Sequence, residues 1–263
     1  MRIQVLIFLT LVTTSTFCSV DSVAAELQDI QLVGADIQSY VVSVDTGNKT
    51  PLKLKSRPRL AELLAQLSPA DDLYWPAARF YRDDPLLHYS LERKRRELLL
   101  QLGEIKRLEG KDAVPQDFTS LIRTARLAAP VALVLEPDAV AGKDEFNKQL
   151  DNGNYILRVA KRPKQLEIVG FAGLSKVQHH YKVTARGYTR DLAFSEVADQ
   201  TQVYLLAPSL TVTVAGRAIW NESAEQLRPG TLLYIPVDES ALPADFQGIN
   251  QQIIEFLQHR VTE

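Results

Sequence analysis

Trp75, Arg79, Tyr81 and Arg82 fall within the run Tyr74-Trp75-Pro76-Ala77-Ala78-Arg79-Phe80-Tyr81-Arg82. Aromatic faces stack on sugar rings, and a guanidinium makes paired hydrogen bonds to a carboxylate or a phosphate. A fifth candidate, Arg126, stands where helix-patterned sequence gives way to strand-patterned sequence. A guanidinium placed there is costly to bury without a partner, so Arg126 and the Trp75–Arg82 run together suggest a ligand groove. The plainer account is that Trp75 and Phe80 pack in a core and the arginines flank helices.

Catalysis has weaker carriers. Glycoside hydrolysis uses two carboxylates about 5–10 Å apart, and the chain offers Asp71-Asp72, Asp83-Asp84 and Glu136 with Asp138. Beside prolines, such residues more simply cap helices and close turns. His179 and His180 point to opposite faces if they lie on a strand, so they cannot share a metal from that strand unaided. Trp220 reads as a large ring covering a sheet. The sequence contains no Gly-x-Ser-x-Gly, phosphate loop or metal-ligand cluster. The expectation is therefore a non-enzymatic protein with no metal and no cofactor; its rival is a polysaccharide-modifying enzyme with a cleft near Arg126.

The elements that must position these residues alternate in type. Val42, Val44, Leu52 and Leu54 alternate with polar residues around an Asp45-Thr46-Gly47-Asn48 turn, the pattern of a hairpin. Leu60, Leu63, Leu64 and Leu67 then recur at helical spacing. Longer helical stripes follow at about 86–108 and 116–126 and read as an insertion, at about 70–128, packed on a first β-rich domain. Strands are expected at 131–135, 155–159, 165–169, 177–183, 202–206 and 211–215, and in Arg228-Pro229-Gly230-Thr231-Leu232-Leu233-Tyr234-Ile235-Pro236. Ala185-Arg186-Gly187-Tyr188 reads as a linker. The last segment, 244–263, has Phe246, Ile249, Ile253, Phe256 and Leu257 on one side of an amphipathic helix. That stripe could dock on the protein itself or serve as a partner-binding surface.

Arg2, the apolar stretch Ile3 to Val12 and the small residues Val23-Ala24-Ala25 form the pattern of a cleaved secretory signal, with the mature chain beginning at Glu26. The stretch is shorter than the roughly 20 residues of a spanning helix, so the mature chain is expected to have no transmembrane span. Cys18, the only cysteine, precedes the proposed cleavage site. A formal net charge of -2 gives no electrostatic footprint for nucleic acid.

Ala218-Ile219-Trp220-Asn221, the Arg228–Pro236 strand and Gly248-Ile249-Asn250-Gln251-Gln252-Ile253 resemble the GfcC/YjbG family of capsule and exopolysaccharide biosynthesis proteins. The likeness extends through Arg59-Leu60, Tyr74–Ala78, Val131–Val140, Asn154–Leu157 and Arg162-Pro163. It implies an α+β protein of tandem β-grasp domains like those of outer-membrane polysaccharide export proteins, with a helical insertion and a C-terminal amphipathic helix. The expected domains are a signal peptide at 1–25, a first β-grasp domain at 26–184, a second at 185–243, and the helix at 244–263. The implied role is periplasmic and non-catalytic, with polysaccharide or the outer-membrane export machinery as partner. Family members are expected to carry Gly before Arg126. Here Ala125 stands there, and its Cβ would disfavour a positive φ.

Overall fold

Among the described residues, two five-stranded sheets form the frame. The computed structural model describes residues 57–66 and 73–262, and the backbone alone of 40–45 and 49–54. The expected signal segment and the Asp71-Asp72 pair lie outside the described residues. The described residues fall within one compact unit, Gln38–Glu263.

The first sheet begins with β1 (Tyr40–Asp45) and β2 (Lys49–Leu54), followed by α1 (Leu60–Ala65) and β3 (Arg79–Arg82). Two helices intervene, α2 (Pro85–Glu109) and α3 (Gln116–Thr124), before β4 (Ala129–Pro130). A short helix, α4 (Pro137–Gly142), leads to β5 (Tyr155–Arg158). The strand order is β2-β1-β5-β3-β4, with β1 and β5 parallel and the other pairs antiparallel. The second sheet has β6 (Gln165–Gly170), β7 (Ser175–Gln178), α5 (Ala185–Thr189), β8 (Gln202–Leu206), β9 (Val212–Gly216) and β10 (Leu232–Ile235). Its order, β7-β6-β10-β8-β9 with β6 parallel to β10, repeats that of the first sheet. In both sheets a helix follows the second strand.

Three expectations about the elements change. Only Ala129 and Pro130 pair with β3 where a strand over 131–135 was expected. One further bond follows, the Val131 N–H donating to the Phe80 carbonyl at 2.8 Å, and the chain then leaves this sheet edge. Residues 185–188 are not a linker: Thr184 accepts a hydrogen bond from the Gly187 N–H at 3.3 Å, and Ala185, Tyr188 and Thr189 of α5 are buried. The division expected between 184 and 185 therefore cuts the second sheet, to which β6 and β7 already belong through the β6–β10 pairing.

α2 starts where Asp84 accepts from the Leu86 N–H at 2.9 Å and Pro85 presets the first helical φ. Its inner stripe of Leu91, Leu98, Leu102 and Ile105 is buried, as are Phe118 and Ile122 of α3. These side chains join the core of the second sheet, not the first. Phe118 packs against Phe171 with centroids 6.0 Å apart, and Asp117 accepts from the Leu174 N–H at 2.7 Å. The insertion thus leaves the first sheet's sequence and covers the second sheet's strands. The first sheet has its own smaller core of Leu60, Leu63, Phe80, Val140, Leu157 and neighbours.

The last helix, α6 (Ile249–His259), lies in the second core and packs against α2. Glu239 caps it, accepting from the N–H groups of Gly248 at 2.9 Å and Asn250 at 2.8 Å. Asn250 is buried and its amide is held at both ends: Oδ1 accepts from the Tyr234 hydroxyl at 2.7 Å and the Val237 N–H at 3.0 Å, and Nδ2 donates to the Val237 carbonyl at 2.8 Å. Burial holds the Tyr234 phenol well above the usual tyrosine range. Beyond α6 the chain is stitched to the entry of β4. The N–H of Ala128 donates to the His259 carbonyl, that of Val261 to the Arg126 carbonyl, and the Tyr81 hydroxyl to the Arg260 carbonyl.

Candidate ligand cleft

The strand register decides which side chains face the space between the sheets. In β3, Phe80 points into the first core, so Arg79 and Tyr81 share the opposite face. Arg79 pairs directly with Arg158 of β5, and Tyr81 with Ile156. Two concavities open on this face and meet at Arg79. One is an aromatic and proline-rich groove of about 410 Å³, walled by Trp75–Tyr81, by 130–136, and by Pro208-Ser209-Leu210 of the β8–β9 turn. The other is a cleft of about 530 Å³, lined by Arg79, Arg158, Lys161, Lys164 and Lys176, with Gln165, Gln178 and Thr231 between them. Each space falls within the roughly 300–1,000 Å³ range of small-ligand sites.

Both are bounded by residues of the two sheets. Where they approach, Gly230 has φ +87°, and a Cβ there would lie 2.9 Å from the Ala77 Cβ and 3.3 Å from Pro208. The Pro229-Gly230 turn therefore needs glycine both for its backbone and for the close approach. Among the described residues, Glu167 is the carboxylate lining the cleft. Both its oxygens accept from the buried Arg260, a bidentate pair tying the segment after α6 to β6. Glu136 is the carboxylate lining the groove.

The candidates read from the sequence separate into two sets. Trp75, Arg79 and Tyr81 come together around the groove, although Tyr81 is fully buried and its hydroxyl is committed to Arg260. Arg82 and Arg126 line neither concavity. Arg82 is ion-paired with Asp84 at 3.3 Å and packs beside Gly153. Arg126, about half exposed, pairs with Asp83 at 2.9 Å. The cleft expected near Arg126 is therefore displaced to Arg79. Ala125 has φ -59°, so this position does not require a left-handed backbone and the expected glycine has no steric role here. Its carbonyl accepts from Arg95 of α2.

The apolar stripe of the last segment is not a free partner surface. Phe246, Ile249, Ile253, Phe256 and Leu257 are all buried in the second core. Trp220 covers nothing: it is 78% exposed beside Ile219. His179 makes a ring contact with the Leu227 carbonyl at 2.9 Å, while His180 is exposed. Asp83 and Asp84 are taken up by ion pairs and by the start of α2. Among the described residues no cluster of three or more His, Cys, Asp or Glu could hold a metal ion, and no helix is long and apolar enough to cross a membrane.

Sequence reasoning passed over Arg158, Lys161, Lys164, Lys176 and the Glu167–Arg260 pair. One signal was present: Arg158, Lys161, Arg162 and Lys164 put four basic residues in a run of seven. Lys176 had no such signal, because only the β6–β7 hairpin returns it to the same wall.

Comparison with known families fits the two-sheet division. The model described as capsule biosynthesis GfcC, N-terminal, matches residues 38–162, and that of capsule biosynthesis GfcC C-terminal matches 173–262. The chain belongs to the GfcC family of capsule biosynthesis proteins. A relative from Escherichia coli (strain K12), the uncharacterized protein YjbG, is 23% identical over 227 residues, covering 83% of this chain and 85% of its own. The break between the two GfcC matches brackets the start of β6, where the chain passes from the first sheet to the second.

Proposed function

We propose that this GfcC-family chain is a periplasmic, non-catalytic accessory protein of capsule or exopolysaccharide assembly, which holds polysaccharide, or a segment of the export machinery, between its two sheets. In this reading each half is a β-grasp domain of the polysaccharide-export type, supported by the shared strand order with its central parallel pair and following helix. The observation that carries the function is the pair of concavities meeting at Arg79, one aromatic and one basic, bounded by both sheets. Rings stack in the first, and charged or hydroxyl-bearing groups suit the second.

Binding is favoured over hydrolysis because, among the described residues, the lining carboxylates are split between the two spaces. The groove has Glu136, and the cleft has Glu167, which is already engaged by Arg260. An acid and a nucleophile or base flanking one bond need two carboxylates converging on one place.

The test places a large ring on the exposed lip of the groove. Ser209→Trp is expected to leave the thermal midpoint unchanged and to lower surface polysaccharide in cells that depend on this protein. Normal surface polysaccharide would remove the groove from the function. Shortening or chemical change of the polymer by purified protein would replace this reading with an enzymatic one. Periplasmic fractionation and intact mass check the location, with a chain starting at Glu26 expected.

A further inference from the structure

We infer that Arg79 is the centre of an oxyanion site, and that the cleft takes a saccharide bearing a carboxylate or phosphate. The inference rests on the binding function proposed above and specifies its ligand chemistry. Arg79 is only 8% exposed, yet among the described residues its guanidinium has neither an ion-pair nor a hydrogen-bond partner. Its stem is packed away while its nitrogens, none of them a fully buried atom, stay open towards the cleft. Its opposite neighbour in the sheet, Arg158, lines the same cleft.

The surroundings add to this charge. Lys164 and Lys176, both exposed, line the same cleft, and a concavity rich in one sign of charge concentrates counter-ions. Glu167 does not neutralise Arg79, since each of its oxygens accepts from Arg260. An oxyanion entering beside Arg79 would supply acceptors to its guanidinium, whose fork matches either carboxylate or phosphate. Two features favour a saccharide as the carrier. Gln165, Gln178 and Thr231 offer hydroxyl partners within the cleft, and Arg79 also borders the groove that holds Trp75.

The experiment titrates the full mature chain by NMR with D-glucuronate, with glucose 1-phosphate and with glucose, all at one ionic strength. Saturable shifts of amides around Arg79, Arg158 and Thr231 are expected with one or both anionic sugars, and none with glucose. A response to glucuronate alone identifies a uronate site, and one to glucose 1-phosphate alone a phosphate site. Arg79→Gln should abolish the shifts and leave the ligand-free thermal midpoint unchanged, because among the described residues the guanidinium has no partner to lose. Lys164→Glu with Lys176→Glu, both exposed positions, should weaken binding at least fivefold without unfolding the protein. Equal shifts with glucose, no shifts with either anion, or unaltered binding by Arg79→Gln would overturn the assignment. So would a lowered midpoint in Arg79→Gln, which would make that arginine structural. A failed titration alongside polysaccharide loss in Ser209→Trp would sink the oxyanion site and leave the groove's role standing.

Discussion

The two sheets have one strand order but are covered differently. The first closes a small core with α1 and α4, both drawn from its own stretch of chain. The second closes a much larger core with α5 and α6, and also with α2 and α3, which are inserted between two strands of the first. Topology alone therefore does not say which half is self-sufficient. Coverage does: the second sheet depends on helices that the first sheet's sequence supplies.

The strongest way to break that contrast is to remove α6. Its buried side chains Ile249, Ile253, Ile254, Phe256 and Leu257 contribute roughly 1.5–3 kcal/mol each, against a total stability for a domain of about 5–15 kcal/mol. Deleting residues 245–263 should leave a protein that melts without a cooperative transition and scatters light as aggregate. A monomeric truncation with a normal midpoint would show that the second core closes without it.

Equal truncations in the two cores sharpen the comparison. Leu102→Ala in α2 and Leu63→Ala in α1 both empty fully buried sites and should each cost about 2–5 kcal/mol. Hydrogen exchange should separate them, with Leu102→Ala loosening β6, β8 and β10, and Leu63→Ala loosening β3 and β5. If Leu102→Ala loosened the first sheet instead, the insertion would belong energetically to the half it interrupts.

A smaller effect is expected at Asn250. Asn250→Ala leaves the Tyr234 hydroxyl and the Val237 N–H and C=O without their partner, at a cost of about 2 kcal/mol. Adding Tyr234→Phe should cost less in this background than in the native one, as the hydroxyl no longer has an acceptor to lose. Additive losses in denaturant titrations would mean the two side chains act independently.

Arg126→Ala should move stability least, by under about 1 kcal/mol, because its pair with Asp83 is about half exposed. A midpoint drop of several degrees would give that arginine a structural part at the junction between the insertion and β4.

Much of the local structure was legible. The β1–β2 hairpin, the Pro229-Gly230 turn and the stripes of α2, α3 and α6 follow from period and turn chemistry. What those stripes touch was not, because an apolar face does not name the sheet it covers. The division between halves was misplaced because Gly187 made a buried helix look like a linker, and because the parallel β6–β10 pair joins segments over sixty residues apart. The site divides along the same line. Trp75, Arg79 and Tyr81 stood close together in sequence, whereas Arg158, Lys164 and Lys176 reach Arg79 only through strand pairing. Trp220 shows the opposite failure, since ring size suggested a core position and the side chain stays exposed in the β9–β10 loop.

The stitching of the segment after α6 has a consequence for how the molecule is made. The Tyr81 hydroxyl meets the Arg260 carbonyl across 179 positions of chain, and contacts so distant in sequence form slowly. Synthesis runs from the amino end, so β3 and α2 leave the ribosome long before their partner segment exists. The inner faces of α2 and of the second sheet then remain uncovered until α6 arrives. Nascent chains of this design are exposed to aggregation and proteolysis late into their production, and their dependence on holding chaperones should be concentrated in that interval.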